Sequence, residues 1–577
     1  MKKRIYGLET EYGIAVITED GRWICKRDGL SEYTSHFYTS PFYGYNQNGS
    51  RIYIEMQFHP EYCTSECVNL SDLVAQDKAG ERILRKICAK AVEAVKTERE
   101  AKKIIREEAK EISLFKNNVQ YGEPVGYKEA DIVTFGCHEN FSIEKKLGVE
   151  SLKKVIVPIA TARQIFSGSG WVANKSYQSQ GIRYLLSQRA RFIGDIVSSE
   201  THPSVIFGCN YEFYYHYYGP DIYSEGFGLK RAILCTARLN EPHADAEKYQ
   251  RLHLILGDSN MSELCTYLKM GTVGILLEML EEGYLFEELK GITLKYPVRA
   301  LHLISRDLTG QKPVIELENG KFISAIDLLW VYVSMFHHYE RIQGLNPELA
   351  DVKQKLTDIL LRFERRKLNP ETLMEEDSQG LNEEIDWLIK KDALEHTLKT
   401  YGCHWNNFYE KTIQTENRDV SLYSQLRKKD LRYHDISPNG LYNLRQPELK
   451  LTELKELGIR TSRTVEEDLI TEMEDKPPQD NRAKLRGDFV RLITEKGLRN
   501  KFEIEWSEIK WNFYHQGRLF VGKIFLLDPF ATENAELAEL SSLIERDEFL
   551  QTPPSNPGNQ MTEGYYEELL RRGGFII

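Results

Sequence analysis

Alternating polar and apolar residues predict two short strands near the N-terminus. In the first, Arg4–Tyr12, a period of two places Glu9 and Glu11 on the same face. In the second, Arg51–Glu55, the two isoleucines point to one side and the three odd-numbered residues line the other. Residues 17–50, which lie between them, are polar, aromatic and turn-rich, so we expect a long loop with short pieces of structure there.

Longer patterns along the rest of the chain alternate between helix and strand. A helical pattern covers residues 70–109, and its charged second half predicts a long, largely solvated helix. Further helical patterns are TARQIFSGS, SELCTYLKMGTVGILLEMLEEG and most of residues 325–400, and strand-like runs are ISLFKN, DIVTFGCHENFSI, KVIVPI and HLILGD. Because the regular alternation of a doubly wound fold is missing, we predict an α+β fold with a mixed or antiparallel sheet backed by helices.

Length and a change in composition indicate how the chain divides. A chain of 577 residues has room for three or four domain-sized units. Residues 435–480 contain SPNGLYN and DKPPQDN, which indicate the junction with a smaller C-terminal unit, and TPPSNPGNQ at 552–560 has the composition of a linker. We therefore expect a large domain over 1–435, a small domain over 436–535 and an additional tail over 536–577.

The composition is that of a globular protein with an acidic balance. Hydrophobic residues make up 41% of the chain and charged residues 28%, so a sizeable core can form. The 76 basic and 87 acidic residues give a formal charge of −11, which argues against a nucleic-acid or anionic-membrane partner. An odd number of cysteines, nine in all, is typical of a reducing compartment. Without a signal-peptide pattern or an uncharged run of about 18 residues, we expect a cytoplasmic protein with no membrane span.

Common nucleotide-binding and hydrolase signatures are missing from the sequence. It contains no G-x-x-x-x-G-K-[ST] loop, no G-x-G-x-x-G after a strand, no kinase motif set and no G-x-S-x-G elbow. The glycine-rich stretch SGSGW at 167–171 lacks a lysine and favours a turn. Cys63 with Cys67, and Cys137 with His138, lack a repeated C-x-x-C spacing and favour buried thiols over a zinc site.

Carboxylates on the two N-terminal strands are a stronger functional signal. Besides Glu9 and Glu11, the second strand and the residues after it supply Glu55, Glu61 and Glu66. Carboxylates buried together repel one another, so they either take up protons or recruit cations. Oxygen ligands on rigid strands suit Mg²⁺, which bridges protein carboxylates and substrate phosphates. The alternative is a polar strand that faces solvent.

A third cluster lies in RLNEPHADAEKY at 238–249 and in the strand-like run RLHLILGD that follows. Arg251 and His253 share one face of this strand, opposite Leu252 and Leu254. Cations beside a carboxylate–metal face are what a site needs to stabilise a transferring phosphoryl group. A surface ladder of ion pairs is the alternative that the sequence leaves open.

Several long motifs together resemble the Pup ligase family, also called proteasome accessory factor A. They are GLETEYG, SRIYIEMQFHPEYCTSEC, LFKNN, GCHENF, LSQRA, EPHADAEKYQRLHLILGDSNMSE, EIDWLIK and DKPPQDNRAKLRGDF. They occur in the family's order, and the resemblance extends from residue 1 to about residue 530. The family includes a related depupylase and belongs with glutamine synthetase to the carboxylate–amine ligases. The ligase branch is favoured by the short motifs ETEYG, GCHEN, GDSNMSE, EIDW, DKPP and LDPF.

The resemblance implies a fold, a reaction and two cofactors, ATP and Mg²⁺. The fold is a large glutamine synthetase-like domain with a curved, mainly antiparallel sheet that cradles ATP, plus a small C-terminal domain. In the reaction, ATP phosphorylates the side chain of the C-terminal glutamate of a small Pup-like modifier. A lysine of a protein substrate then attacks the acyl phosphate, which gives an isopeptide bond. The enzyme must shield charge between the phosphate and the carboxylate and accept a proton from the lysine.

The resemblance also implies roles for individual residues. The matching positions are Glu9, Tyr53 and Glu61 for Mg²⁺, Arg51, Thr64 and Trp506 for ATP, and Glu55 for the catalytic base. The family has aspartate at position 55, whereas this chain has glutamate, which keeps the carboxylate but reaches about one methylene further. Because a displaced base can lose much activity, either the substrate sits differently or the activity is altered. We expect Glu55 to be a working base.

Two segments depart from the family pattern. Residues 208–228 look like an insertion crowded with tyrosine, which fits either a protein-recognition surface or a hairpin packed on its own domain. The tail ends in Gly-Gly-Phe-Ile-Ile, whereas a Pup-like modifier ends in glutamate or glutamine directly after Gly-Gly. One hypothesis is that the tail docks into the protein's own modifier groove or onto a neighbouring subunit. Deletion of residues 552–577 without a change in modifier affinity or oligomeric state would contradict it.

The ligase hypothesis predicts two partners, a small Pup-like modifier with a C-terminal glutamate and protein substrates that carry lysines. Since family modifiers are acidic and this chain is acidic too, the modifier would be held by its apolar face and selected basic residues. A depupylase or deamidase of the same fold stays open, although the ligase-type motifs weigh against it. The sequence is also compatible with a nucleotide-binding scaffold that recruits partners through the insertion and tail, and with a ligase for small molecules.

Overall fold

A computed structural model describes most of the chain. The described residues are 3–18, 23–24, 27–38, 40, 42–55, 59–102, 109–119, 134–144, 147–198, 231–284, 289, 291–415, 418–445, 463–515, 518–546, 549 and 575–576. The tyrosine-rich segment 208–228, like the linker and the helical pattern of the tail, lies outside the described residues.

The described strands and helices are numbered separately in chain order. The strands are β1 Tyr6–Glu11, β2 Gly13–Thr18, β3 Trp23–Ile24, β4 Gly44–Tyr45, β5 Arg51–Ile54, β6 Pro60–Cys63, β7 Ala109–Phe115, β8 Cys137–Glu144, β9 Trp171–Val172, β10 Tyr184–Leu185, β11 Ile193–Ser198, β12 Arg231–Cys235, β13 Tyr249–Leu254, β14 Ile315–Glu316, β15 Phe322–Ile323, β16 Lys367–Leu368, β17 Glu375–Asp377, β18 Thr412–Thr415, β19 Arg418–Ser421, β20 Phe502–Ile504, β21 Glu508–His515, β22 Arg518–Phe525 and β23 Phe575–Ile576. The helices are α1 Arg27–Tyr38, α2 Leu70–Lys102, α3 Val149–Ala162, α4 Gln164–Ser167, α5 Glu263–Glu281, α6 Pro297–Arg306, α7 Ala325–Gln343, α8 Pro347–Arg365, α9 Asp386–Thr400, α10 Leu422–Tyr433, α11 Glu467–Met473, α12 Arg482–Glu495 and α13 Ala535–Glu545. Within the described ranges, no helix combines the length and the apolar character needed to cross a bilayer.

An eight-stranded sheet lies at the centre of the molecule. Its strand order is β11-β12-β13-β8-β1-β6-β5-β4, and neighbouring strands are antiparallel except for β11 and β12. In β1 the even-numbered residues are buried and the odd-numbered residues are partly exposed, as the period of two predicts. The prediction of an α+β fold with a mainly antiparallel sheet backed by helices is confirmed.

Two helices approach the back of this sheet so closely that only glycine fits at the contact. An added Cβ at Gly80 of α2 would lie 2.5 Å from the ring of Tyr62 on β6. An added Cβ at Gly274 of α5 would lie 2.6 Å from the hydroxyl of Tyr6 on β1. Because these helices cover the back, the polar side chains that alternate with the buried ones point to the opposite, front face.

Three local expectations were wrong. The run KVIVPI was expected as a strand but lies in α3, where Val155–Ile159 are all buried. A run without polar positions shows no helical period, so its sequence alone could not distinguish a buried helix from a strand. Residues 17–50 contain the 12-residue helix α1 rather than only short pieces of structure. The long helix α2 ends at Lys102, and Ala109 already begins β7.

A second sheet forms in the C-terminal region, with the order β20-β21-β22-β23. Together with α12 and α13 it surrounds a separate core that includes Phe489, Trp511 and, from the N-terminal region, Tyr45. Helix α11 instead contributes Ile470 and Met473 to the largest core. The domain boundaries given above stay a prediction.

The last two described residues return to this second sheet. Phe575 pairs with Val521 and Ile576 with Phe520, so β23 extends the sheet beyond β22. This pairing joins the end of the tail to its own chain. Whether the tail also meets a modifier groove or a neighbouring subunit stays a prediction.

Candidate active site

Two rows of polar side chains cross the front face of the central sheet. The first row consists of Glu11, Glu61 and Tyr53, which the register pairs across β1, β6 and β5. The second row, two residues away on each strand, consists of Glu9, Cys63 and Arg51. Because side chains two positions apart on a strand share a face, both rows lie on the same side of the sheet. The predicted strand faces are therefore confirmed, and they form one continuous surface.

Glu9 lies at the centre of a cluster that β8 and β13 complete. One carboxylate oxygen is 3.2 Å from Nδ1 of His138, and the other accepts a hydrogen bond from Nδ2 of Asn140 at 3.1 Å. Nη1 of Arg251 is 3.6 Å from that second oxygen. His253 joins the cluster through Nδ1, which is 2.8 Å from Oδ1 of Asn140. Of the two residues predicted on β13, Arg251 thus lies beside Glu9 itself and His253 reaches it through Asn140.

The surroundings of Glu9 keep it ionised. Burial by itself would raise its pKa, but the hydrogen bond to His138 and the positive charge of Arg251 outweigh that effect and hold the pKa well below its usual value. Burial lowers the pKa of His253 to about 3, although the charge of Glu9 opposes this shift. At neutral pH the cluster therefore combines an ionised carboxylate with a neutral imidazole at position 253.

Glu61 lies in a less favourable environment for a charge. Burial raises its pKa well above the usual value, and the charges of Glu11 and Glu9 raise it further. Arg51, the cation of the neighbouring row, has its Nη1 3.8 Å from a carboxylate oxygen of Glu505. Burial also raises the pKa of the Tyr53 phenol, which stays neutral.

This set of donors suits a divalent cation. Glu9, Tyr53 and Glu61 present two carboxylates and a phenol to one side of the sheet. A cation bound there would offset the repulsion that raises the pKa of Glu61, and Mg²⁺ prefers such oxygen ligands. Next to them, Glu9, His138 and His253 each offer one ligand atom, and these atoms lie within 4.8 Å of one another. The residues present therefore fit the metal that the resemblance implies.

Glu55 follows β5 directly, where the chain turns towards β6. Its backbone N–H donates a hydrogen bond to the carbonyl oxygen of His59 at 2.8 Å, which extends the ladder between the two strands. The charge of Glu55 contributes to the raised pKa of Glu61. The expected base thus lies two residues beyond Tyr53, on the other side of the first polar row from Arg51, and near the expected metal ligand Glu61.

A cleft beside the cluster around Glu9 is lined by residues from both the N-terminal and the C-terminal regions of the chain. It is partly open to solvent. Three of the expected site residues, Glu9, Thr64 and Trp506, line it together with Arg251 and Arg482. An aromatic ring, two cations and an adjoining carboxylate face are the groups that a nucleotide site needs for its base and phosphates.

Arg51 is linked to this cleft through aromatic neighbours. Its guanidinium carbon lies 5.1 Å from the ring centre of Tyr45 and 5.2 Å from that of Tyr53. The ring of Tyr45 contacts Trp506 edge to face at 5.1 Å, and its hydroxyl donates to Glu505 at 3.2 Å. The expected ATP contacts on β5 and in the C-terminal region therefore belong to one connected set.

Some residues of the site were not predicted. The sequence CHENFSI held a signal for two of them, because a period of two puts His138 and Asn140 on one face of a strand. Glu66 was named among the N-terminal carboxylates, but its contact with Arg482 and Arg486 beside Trp506 had no such signal. Glu66 and Arg482 are 416 positions apart, so no local pattern connects them.

Known proteins resemble this chain over most of its length. A family model described as Pup-ligase protein matches residues 4–510. The chain belongs to the Pup ligase family. Among curated members of this family, it is 33% identical over 519 residues to the Pup–protein ligase of Kineococcus radiotolerans, a match that covers 89% of this chain and 94% of that protein. It is 33% identical over 546 residues to the Pup–protein ligase of Nakamurella multipartita, with 94% of this chain and 99% of that protein covered.

Solved structures of Pup ligases share the fold. The complex between the prokaryotic ubiquitin-like protein Pup and its ligase PafA aligns with a TM-score of 0.69 at 24% identity, over 99% of this chain and 94% of that one. The ligase PafA in complex with ADP aligns with a TM-score of 0.65 at 25% identity, over 90% of this chain and 94% of that one. The glutamine synthetase-like fold that the resemblance implied is therefore confirmed.

Proposed function

We propose that this member of the Pup ligase family is an ATP-dependent ligase that joins a Pup-like modifier to lysines of protein substrates. Its curated relatives are named Pup–protein ligases, and similar solved structures contain Pup or ADP. The observation that carries the proposal is the cleft in which Glu9, Thr64 and Trp506 meet beside the acidic front face. A nucleotide in this cleft has its phosphates beside the carboxylates that bind cations and its base near the tryptophan.

In the first step, the side-chain carboxylate of the modifier's C-terminal glutamate attacks the γ-phosphorus of ATP. The bond between that phosphorus and the β–γ bridging oxygen breaks, so an acyl phosphate and ADP form. Glu9, Tyr53 and Glu61 would hold Mg²⁺, which would supply charge shielding between phosphates and carboxylate. Arg251 adds positive charge at the cleft, 3.6 Å from Glu9.

In the second step, the ε-amine of a substrate lysine attacks the carbonyl carbon of the acyl phosphate. The bond from carbon to the phosphate oxygen breaks, inorganic phosphate leaves and the isopeptide bond forms. The amine has to lose a proton in this step, and Glu55 accepts it. Glu55 follows β5 directly, two residues beyond Tyr53 on the side away from Arg51.

The proposed division into domains follows from the same cleft. Residues 1–435 supply the sheet with the metal and base positions, and residues 436–535 complete the nucleotide site through Arg482 and Trp506. The separate core around Phe489 supports a C-terminal unit, and because this core also contains Leu537, Leu540 and Ile544, the unit extends into the expected tail over 536–577.

The test uses purified protein, ATP, Mg²⁺, a lysine-bearing acceptor protein and an acidic modifier that ends in Gly-Gly-Glu. A ligase releases ADP and forms a lysine isopeptide, both of which are measured by chromatography and mass spectrometry. A modifier that ends in Gly-Gly-Gln is the matched control, because its amide is not a substrate for phosphorylation.

Different outcomes identify a different activity. A deamidase converts the glutamine-ended modifier to the glutamate form, and a depupylase cleaves a preformed conjugate without net ATP consumption. A scaffold binds nucleotide without turnover. Any of these results without isopeptide formation contradicts the ligase proposal.

A further inference from the structure

Glu66 connects the sheet to the C-terminal side of the cleft, although no motif assigns it a role. Its carboxylate Oε1 accepts hydrogen bonds from Nε of Arg482 at 2.9 Å and from Nη1 of Arg486 at 3.0 Å. Its Oε2 accepts a further hydrogen bond from Nη2 of Arg486. The backbone carbonyl of Glu66 accepts one from Nδ2 of Asn481, the residue that caps the N-terminus of α12. Both the side chain and the backbone of this residue therefore hold the first turns of α12.

Arg486, which Glu66 holds, also contacts Trp506. Its guanidinium carbon lies 4.8 Å from the ring centre of Trp506 and 5.4 Å from that of Tyr45. Its Nη1 also donates to the backbone carbonyl of Trp506 at 3.0 Å, and its Nη2 to that of Gly49 at 3.0 Å. The ring and the backbone of the tryptophan are thus both fixed by a cation that Glu66 orients.

The location of these charges indicates more than a structural anchor. Glu66, Arg482 and Trp506 all line the cleft, as does Thr64 two residues before Glu66. Burial disfavours the ionised carboxylate, but Arg486 and Arg482 outweigh it and lower the pKa of Glu66 to about 2. A buried ion pair is a poor source of stability compared with apolar packing, so three buried charges at the wall of a binding cleft point to a role in specifying geometry.

We propose that Glu66 is a positioning residue that holds Arg482 and Trp506 in the geometry that binds the nucleotide. The inference rests on the proposed function only in taking the cleft as the nucleotide site. It predicts that the loss of the Glu66 charge weakens nucleotide binding, and that this loss of affinity is larger than a general loss of stability would cause.

The test compares Glu66→Gln with Glu139→Gln in the full-length protein. Glu139 is a matched control, because it is also a buried carboxylate paired with an arginine: its Oε2 accepts from Nη1 of Arg163 at 2.7 Å. It lies on β8 between front-face residues and so points to the back of the sheet. Titration calorimetry with ADP gives the Kd, and the ligase assay gives the KM for ATP and kcat.

The expected result is a selective loss of nucleotide binding. Glu66→Gln raises the Kd for ADP and the KM for ATP at least about tenfold, while kcat at saturating ATP changes by less than about threefold. Glu139→Gln lowers the melting temperature but leaves the Kd within about twofold of the wild type. Equal Kd values for the two variants overturn the inference.

Fluorine NMR of protein labelled with 5-fluorotryptophan supplies a second readout. The Trp506 signal, assigned with Trp506→Phe, shifts in nucleotide-free Glu66→Gln and keeps its position in Glu139→Gln. An unshifted Trp506 signal in Glu66→Gln overturns the inference. If Glu66→Gln does not fold, Glu66→Asp and Arg486→Lys carry the same comparison, because they keep the charge and change only its reach or its fork geometry.

The same measurements separate this inference from the ligase proposal. A wild-type protein that does not bind ADP overturns both. A wild-type protein that binds ADP but forms no conjugate overturns the ligase proposal, and the Kd comparison then decides the role of Glu66.

Discussion

At the scale of single residues, Glu55 is the side chain on which the proposed amine attack depends. Glu55→Gln keeps the size of the residue and removes the proton acceptor, so the rate of isopeptide formation should fall by about 10²–10⁴-fold. The Kd for ADP should change by less than about threefold, because Thr64 and Trp506 still line the cleft. Single-turnover conjugation and ADP calorimetry measure the two quantities.

The control for this prediction is the aspartate that the family has at position 55. Glu55→Asp keeps a carboxylate and moves it by about one methylene, so we expect activity to stay within about tenfold of the wild type. Conjugation at an unchanged rate in Glu55→Gln would show that another group accepts the proton.

A different carboxylate, Glu81 on α2, determines a pH dependence of stability. Its Oε1 accepts hydrogen bonds from Nζ of Lys78 at 2.9 Å and Nζ of Lys116 at 3.0 Å, and Lys116 also pairs with Asp77 at 2.5 Å. Burial disfavours the charge of Glu81, but the two lysines outweigh it and lower its pKa to about 2. Because this pKa is lower in the folded than in the unfolded state, the pairing stabilises the fold above about pH 4.5 and is lost as the pH falls towards 2.

Glu81→Gln removes this contribution, which is on the order of 2–3 kcal/mol at neutral pH. The difference in unfolding free energy between the wild type and Glu81→Gln should therefore be largest at pH 6–7 and decrease steadily towards pH 3, as measured by urea denaturation. A difference that stays constant over this range would contradict the lowered pKa of Glu81.

Single residues also show which features of the site could be predicted from the sequence and which could not. Glu9, Glu11 and Tyr53 could be placed on shared faces because a strand has a strict period of two. Their partners Asn140 and Arg251 come from strands that pair only after the sheet has formed. Local patterns fix the direction of a side chain, whereas its neighbours across the sheet depend on topology and register.

At the scale of elements, strands with one buried face were predictable, whereas fully buried elements were predictable only where they were long, as in the 19-residue α5. The strands β1, β5 and β8 lie where alternation or strand-like runs placed them, whereas β13 ends at Leu254, early in the predicted run HLILGD. Helix α3 was mistaken for a strand because the core surrounds Val155–Ile159 on every side. Periodicity reports the contrast between a buried and an exposed face, so it carries no signal where that contrast is missing.

The contact between α2 and β6 should reverse the usual effect of a Gly→Ala substitution on stability. Gly→Ala inside a helix ordinarily stabilises it by about 1 kcal/mol. At Gly80, the new Cβ would lie 2.5 Å from the ring of Tyr62, whose hydroxyl donates to Gln76 at 3.1 Å and is thereby held in place. Gly80→Ala should therefore destabilise the protein by about 1–3 kcal/mol, since the helix must move away from the strand that carries Glu61.

Urea denaturation checks this prediction, and a double-mutant cycle tests its cause. If the clash with Tyr62 is responsible, Gly80→Ala should cost less in a Tyr62→Leu background than in the wild type. A stabilised Gly80→Ala variant would show that the helix packs further from the sheet.

At the scale of the whole molecule, the total charge is negative, whereas positively charged side chains gather at the cleft. The formal charge is −11, yet Arg251, Arg482 and Arg486 gather at or beside the nucleotide cleft. The total charge could exclude partners from the sequence, but it could not locate the site, because the site is assembled from segments far apart in the chain. The proposed nucleotide site therefore depends on residues from both the N-terminal and the C-terminal regions of the chain.

This assembly leads to a prediction about the response to nucleotide. A ligand in the cleft touches residues 5–9 and 63–66 of the sheet as well as Arg482 and Trp506 near the other end of the chain. ADP at one hundred times its Kd should stabilise the folded protein by about 2.7 kcal/mol, because it binds only the folded state. Hydrogen exchange should slow both in the N-terminal strands and in the segment around Trp506. In Trp506→Ala at the same ADP concentration, both the rise in melting temperature and the C-terminal protection should decrease. If exchange slows only in the N-terminal strands of the wild type, the C-terminal region does not close the nucleotide site, and the proposed role of residues 436–535 is wrong.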